Sequence, residues 1–169
     1  SEELQVNHRS SVHFIVKDLS RSGAAAEVFE EVQRCGLSID YLINNAGIGS
    51  YGLFHEIDWM ETEGMINLNV MTLTQLARLY LPLMIQRKSG RILNIASTAS
   101  FQPGPTMAAY FACKAYVLHL SEAIAEELRG TGVTVTALCP GPTESNFKDR
   151  ARMQQSRLFR NRRLPSARE

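Results

Sequence analysis

The feature that most constrains the fold of this chain is an alternation of short β-branched runs with longer amphipathic stretches. Runs typical of strands occupy residues 12–16, 40–45, 91–96 and 133–138. Stretches with helical periodicity lie between Ser20 and Gly36, at about 58–86 and at 107–129. Strands that alternate with helices require crossover connections, which favour a parallel sheet. The pattern therefore predicts an α/β fold, a doubly wound parallel sheet with helices on both faces.

The composition is compatible with this fold and excludes several other classes. At about 150 residues per domain, 169 residues predict one domain. The three cysteines (Cys35, Cys113 and Cys139) are far apart and show no CxxC spacing, which argues against a disulfide framework or a metal site and favours a reducing compartment. The apolar runs are too short for a membrane-spanning helix. We therefore expect a cytoplasmic protein without a metal or a membrane span.

The net charge of +1 is distributed unevenly along the chain. Residues 148–169 contain eight basic and two acidic side chains, a net +6, and residues 1–147 contain ten and fifteen, a net −5. A basic segment can bind nucleic acid or an acidic membrane surface. No aromatic residues interleave with these arginines and no nucleic-acid-binding motif accompanies them, so we expect no nucleic-acid partner. We interpret residues 148–169 as a solvated helix or disordered end, distinct from a domain over residues 1–147.

Ligands of parallel α/β sheets bind outside the carboxyl ends of the strands. Four groups of polar or glycine residues follow the predicted strands directly, and we expect them at one edge of the sheet. They are Asp18, Asn44–Gly47, Ser97 and Pro140–Ser145.

Tyr110 and Lys114 lie four residues apart in a predicted helix and therefore share one face of it. A tyrosine hydroxyl titrates near 10 in water, and a nearby ammonium favours the phenolate and lowers that pKa. The pair could thus serve as an acid/base device near neutral pH. Ser97 lies 13 residues upstream at a strand end, where its hydroxyl could bind a substrate oxygen or the tyrosine.

In order and spacing, these motifs together resemble the short-chain dehydrogenase/reductase family over about residues 12–147. The resemblance implies a Rossmann-like sheet and an oxidoreductase that transfers hydride between NAD or NADP, with NADP favoured, and a small-molecule carbonyl or alcohol. The matching segments are Val16–Leu19, Asn44–Gly47, Asn69, Gly90–Ser97, Tyr110–Lys114 and Pro140–Thr143.

The resemblance also assigns catalytic roles to four residues. Tyr110 would be the general acid/base, Lys114 would lower the pKa of Tyr110 and bind the nicotinamide ribose, and Ser97 would polarise the substrate oxygen. Asn69 would anchor a water molecule that relays protons to Lys114.

Further positions would bind the cofactor alongside Tyr110 and Lys114. Asp18 and Leu19 would face the adenine, and Thr143 would contact the nicotinamide carboxamide. The remaining cofactor-binding positions that the resemblance implies are Asn45, Ala46, Gly47, Pro140 and Gly141.

The chain departs from the family pattern at both ends. It contains no glycine-rich Gly-x-x-x-Gly-x-Gly loop after a first strand, and Ser1–Leu4 resembles the end of a second helix. We therefore expect a Rossmann-like sheet that lacks its first βαβ portion and that, as these 169 residues alone, binds cofactor poorly. Residues 148–169 would be a truncated substrate lid or a tail.

Two alternative functions remain at this stage. The chain could be a catalytically incompetent member of the family that acts only by self-association, because the resemblance implies a homodimer or homotetramer through the helices at 58–86 and 107–129. It could also be an α/β hydrolase, since Ser97 follows a strand, but the sequence lacks Gly-x-Ser-x-Gly. We further expect residues 98–109, including Phe101, Pro103 and Met107, to border an apolar substrate pocket.

Overall fold

The computed structural model of the chain describes residues 11–143, which form a parallel three-stranded sheet with flanking helices. The strands are β1 (Tyr41–Asn44), β2 (Gly90–Ile95) and β3 (Val133–Leu138), in the order β1-β2-β3. The helices are α1 (Ala24–Arg34), α2 (Trp59–Ile66), α3 (Leu73–Arg87) and α4 (Ala108–Glu127), with a π-helical segment at Asn67–Thr72 and a 3₁₀ turn at Thr98–Phe101. The predicted parallel α/β fold is confirmed.

Three of the four predicted strands are present, and the prediction of a strand at residues 12–16 is wrong. Residues 11–18 contain no strand, and Phe14 and Val16 are exposed. A strand exists only through hydrogen bonds to a neighbour, and no described strand lies alongside this run. The β-branched and aromatic composition therefore did not suffice to form a strand here.

The long helices of the described region pack on one face of the sheet rather than on both. Side chains of α1, α3 and α4 form one apolar cluster with alternate residues of the strands, including Ile92, Val133 and Val135. The intervening positions, such as Tyr41, Ile43 and Thr134, are exposed. Right-handed crossovers that proceed in one direction across a sheet place every connecting helix on the same side, which accounts for this layering.

The helix boundaries agree with the predicted periodicity, but two local details differ. Helix α1 begins at Ala24 rather than at Ser20: its N-cap is Gly23 at φ 83°, and Ser20 binds the Asp18 carboxylate. The stretch predicted as one helix at about 58–86 contains the π-helical segment in its middle. No helix within residues 11–143 has the length and apolarity needed to cross a membrane.

A buried chain of polar side chains connects the end of β1 to α4 through the centre of the sheet. Asn44 Nδ2 donates to Asn94 Oδ1 at 2.8 Å, and Asn94 Nδ2 donates to Ser121 Oγ at 2.9 Å. Ser121 Oγ in turn donates to the Val117 carbonyl at 2.6 Å. Buried amides are costly unless paired, so this chain holds α4 in one position relative to the strand ends.

Some of the sequence predictions lie outside the described residues. They are the nature of residues 148–169, the proposed end of a helix at Ser1–Leu4, the position of Ser145, and the two ends of the domain predicted over residues 1–147.

Candidate active site

Ser97, Tyr110 and Lys114 meet at the carboxyl edge of the sheet. Ser97 follows β2 and begins the 3₁₀ turn, where its Oγ accepts a hydrogen bond from Ala99 N at 3.1 Å. Tyr110 and Lys114 lie in the first two turns of α4, both are buried, and the Tyr110 hydroxyl is hydrogen-bonded to the Ser97 side chain. The strand end and the helix thus bring together three side chains that are as many as 17 residues apart in the sequence.

Burial dominates the electrostatics of Tyr110. Desolvation raises the pKa of its hydroxyl, while the hydrogen bond with Ser97 opposes that change. Lys114 Nζ lies 5.9 Å from the centroid of the tyrosine ring and donates to the Ile95 carbonyl at 2.7 Å. The ammonium therefore lies beside the tyrosine ring while it is anchored to the end of β2.

Lys114 itself has an unusual titration, because burial disfavours its charged form and lowers its pKa from an ordinary 10.5 to about 8. The ammonium retains a hydrogen bond to the Ile95 carbonyl but loses most of its contact with water. Near neutral pH the side chain is therefore close to the point at which it can release or accept a proton.

We expect NMR titration of the lysine side chains to show Lys114 changing protonation at about pH 8. Between pH 8 and 10.5 the unfolded chain binds more protons at this site than the native state, so the free energy of unfolding should rise with pH in that window. Lys114→Met should abolish that contribution, whereas Lys17→Met, at an exposed position, provides the control. A Lys114 titration above pH 10 would contradict the prediction.

Asn69 lies behind these residues, in the π-helical segment, and is fully buried. Its Nδ2 donates to the Ile48 carbonyl at 2.7 Å, and its Oδ1 accepts from Ile48 N at 3.0 Å. The side chain therefore holds the backbone just after Gly47. A Cβ at position 47 would lie 3.3 Å from Asn69 Oδ1 and 3.6 Å from Lys114 Nζ, so the absence of a side chain there leaves room beside the lysine.

A cleft of about 380 Å³ opens over Ser97, Tyr110 and Lys114. Five of the residues predicted to bind cofactor also line it, and they follow β1 or β3. These five are Asn45, Gly47, Pro140, Gly141 and Thr143. The cleft thus brings together eight of the predicted site residues, six that follow the three strands and two from α4.

The remaining predicted residues lie beside the cleft. Asn45 and Ala46 join Leu19 in lining a smaller cavity of about 90 Å³ between β1 and the π-helical segment. Asp18 lies on the neighbouring turn, and its Oδ1 accepts from Ser20 N at 3.0 Å and from Ser20 Oγ at 2.6 Å. These hydrogen bonds lower the pKa of the Asp18 carboxyl.

The segment expected to border an apolar pocket does so only in part. Met107 lines the cleft together with Ala99 and Gln102, and Phe111 extends this wall along α4. Phe101, in contrast, is 67% exposed, and Pro103 lines a separate groove. Residue type alone did not indicate which side chains of this loop turn inward. Thr72 is a further buried polar residue that the sequence patterns above did not predict. Its hydroxyl within an apolar stripe was the available signal, because polar side chains are seldom buried without a partner.

A parallel α/β sheet with polar and glycine residues gathered outside the carboxyl ends of its strands is typical of the Rossmann-like class. A sequence profile described as short chain dehydrogenase matches residues 1–156. The chain belongs to the short-chain dehydrogenase family.

Individual relatives agree with this assignment. An uncharacterized oxidoreductase of Bacillus subtilis, YvrD, is 41% identical over 133 residues, which cover 79% of this chain and 50% of that protein. A short-chain dehydrogenase from Sphingobium yanoikuyae, solved in complex with NADPH, superposes with a TM-score of 0.83 at 35% identity, covering 89% of this chain and 59% of that chain. A metagenomic short-chain oxidoreductase in complex with NADP gives a TM-score of 0.75 at 35% identity, over 81% and 62%. The chain thus spans about half to three-fifths of the length of these relatives.

Proposed function

We propose that this protein is an oxidoreductase that transfers a hydride between NADP(H) or NAD(H) and a small-molecule carbonyl or alcohol. The observation that carries the proposal is the meeting of Ser97, Tyr110 and Lys114 in one cleft at the strand ends. The solved relatives that hold NADPH and NADP support the choice of cofactor and favour NADP over NAD. The cofactor would supply the hydride chemistry when bound, and the chain would supply position, proton transfer and electrostatics.

The residues of the cleft fit the nicotinamide half of a dinucleotide. Gly47 leaves open the space beside Lys114 that a Cβ would fill, and an added Cβ at Gly141 would meet nothing within 4 Å, so both backbones allow close approach. Lys114 would bind sugar hydroxyls with Nζ hydrogens not used by the Ile95 carbonyl. Thr143 also lines the cleft, and its hydroxyl, which donates to the Gly141 carbonyl at 3.1 Å, could accept a hydrogen bond from an amide.

Proton transfer is assigned to Tyr110, with Ser97 as its partner. The raised pKa keeps the tyrosine protonated in the resting site, which suits a general acid that donates to a carbonyl oxygen. Ser97 Oγ is already hydrogen-bonded to that hydroxyl and would share the same substrate oxygen. Asn69 would contribute by holding Ile48, and through it the backbone beside Lys114.

We also propose that the protein self-associates through the helical stretches at 58–86 and 107–129, the surface that the resemblance implied. The stretch at 58–86 exposes large apolar side chains, notably Trp59 and Met60 in α2 and Met71 in the π-helical segment, which are 64%, 68% and 59% exposed. Clustered exposed apolar residues often mark protein interfaces. The same surface would serve the alternative function, association without catalysis.

The experiment that tests the proposed reaction incubates the intact native protein with NADPH deuterated at C4 and a panel of aldehydes and ketones. We expect deuterium at the carbonyl carbon of at least one product, detected by mass spectrometry, with NADH less effective than NADPH. Failure of every carbonyl, in a protein that forms a stable dimer by analytical ultracentrifugation, would favour the association-only alternative.

A further inference from the structure

Strand pairing does not anchor the segment that contains Asp18 and Leu19 to the sheet. Within the described region, residues 11–18 belong to no strand, so no backbone ladder holds them. The turn that follows is closed locally, by hydrogen bonds from Ser20 to the Asp18 carboxylate. Its position relative to the sheet must therefore depend on contacts with other elements.

Thr72 provides such a contact. Its Oγ1 donates to the Leu19 carbonyl at 2.7 Å, across a separation of 53 residues, and the threonine is only 7% exposed. The adjoining helix supports the same turn, since a Cβ at Gly64 would lie 3.9 Å from Ser20 Cβ. Leu19, Asn45 and Thr72 border the small cavity of about 90 Å³ beside the main cleft.

The π-helical geometry explains how Thr72 reaches Leu19 while Asn69 reaches Ile48. In a π-helix the hydrogen bonds run from i to i+5, so more residues fill each turn than in an α-helix. In an α-helix, residues i and i+3 are neighbours on one face. In a π-helix the same two residues are separated by a larger angle around the helix axis. The segment can thus direct Asn69 to the loop after β1 and Thr72 to the Asp18–Leu19 turn.

We propose that Thr72 is a positioning residue for the adenine half of the cofactor. This inference rests on the proposed function. The threonine holds the Leu19 carbonyl, and with it the Asp18–Leu19 turn, beside the small cavity between β1 and the π-helical segment. The resemblance implies that an adenine would lie against this turn. It would make no contact with the cofactor itself. Its effect should therefore be confined to ligands that contain adenine.

The test compares Thr72→Val, which keeps the shape but removes the hydroxyl, with Thr72→Ser, which restores the donor. In the valine variant the Leu19 carbonyl would lose the hydroxyl that donates to it, and an unpaired carbonyl would destabilise the position of the turn. In the intact native protein we expect Thr72→Val to raise the Kd for NADPH about tenfold, equivalent to about 1.4 kcal/mol. Thr72→Ser should raise it less than about twofold, and the Kd for reduced nicotinamide mononucleotide, which has no adenine, should be unchanged.

Thr74→Val is the matched control, because Thr74 lies two residues further along, in α3, and its Oγ1 is hydrogen-bonded to the Tyr116 hydroxyl at 3.0 Å. It should leave the Kd for NADPH unchanged. An unchanged Kd for NADPH in folded Thr72→Val would overturn the inference, as would an equal loss of affinity for both nucleotides. Failure of the unsubstituted protein to bind any dinucleotide would contradict the proposed function, and the inference with it.

Discussion

Tyr110→Phe is expected to lower kcat for carbonyl reduction by about 10²–10⁴-fold, the usual contribution of a positioned general acid. The ring would stay in its buried position beside Met107 and Phe111, so the cleft would keep its shape. What is lost is the proton donor and its hydrogen bond with Ser97. The Kd for NADPH, measured by fluorescence titration, should change little because the hydroxyl acts on the substrate oxygen.

Tyr80→Phe serves as the control for this variant. Tyr80 is also buried, but it lies in the apolar cluster between the helices and the sheet, away from the cleft. Its loss of a hydroxyl should leave kcat within about twofold of the unsubstituted value. Near-normal turnover in Tyr110→Phe would contradict the assignment of Tyr110 as the general acid of the proposed reaction.

Gly132→Ala should reduce the free energy of unfolding by about 3–5 kcal/mol, in the range expected when strain at a special φ is combined with a steric clash against a backbone carbonyl. Gly132 lies directly before β3 and adopts φ +82°, where an L side chain is strained. A Cβ there would also clash with the backbone carbonyl of Lys88, which precedes β2. Because β2 pairs with β3 from Gly90 and Val133 onward, the clash would act on the first rung of that pairing.

Gly130→Ala separates the two causes. Gly130 has nearly the same φ, +79°, but a Cβ there would meet nothing within 4 Å. In this variant the free energy of unfolding should fall only by the part that comes from strain at positive φ, about 1–2 kcal/mol. Urea denaturation of both variants measures the difference, and equal stabilities would show that the Lys88 carbonyl moves aside without cost.

Much of the fold could be predicted because strands and helices leave local periodic signals. The run at 133–138 coincides with β3, and those at 40–45 and 91–96 overlap β1 and β2. The run at 12–16 shows the limit of such signals. Its residues have high β propensity, but a strand also needs a neighbour, and a local pattern contains no information about pairing.

The candidate site could be predicted where its residues are close in sequence or follow a strand. Tyr110 and Lys114 share a helix face by spacing alone, and Ser97 follows a strand end, so their convergence was foreseeable. The hydrogen bonds from Asn69 to Ile48 and from Thr72 to Leu19 were not, since they join residues 21 and 53 positions apart through an irregular helix. Nothing in the apolar periodicity of residues 58–86 indicates a π-helical segment.

The sequence by itself determined the class of fold, the order of its elements and the side chains available for acid/base chemistry, because all three follow from local spacing. The tertiary structure alone decided which face of the sheet the helices cover, which loop residues turn into the cleft, and the electrostatics of Tyr110 and Lys114. Burial raises the pKa of the tyrosine and lowers that of the lysine, and burial arises only when distant segments pack together.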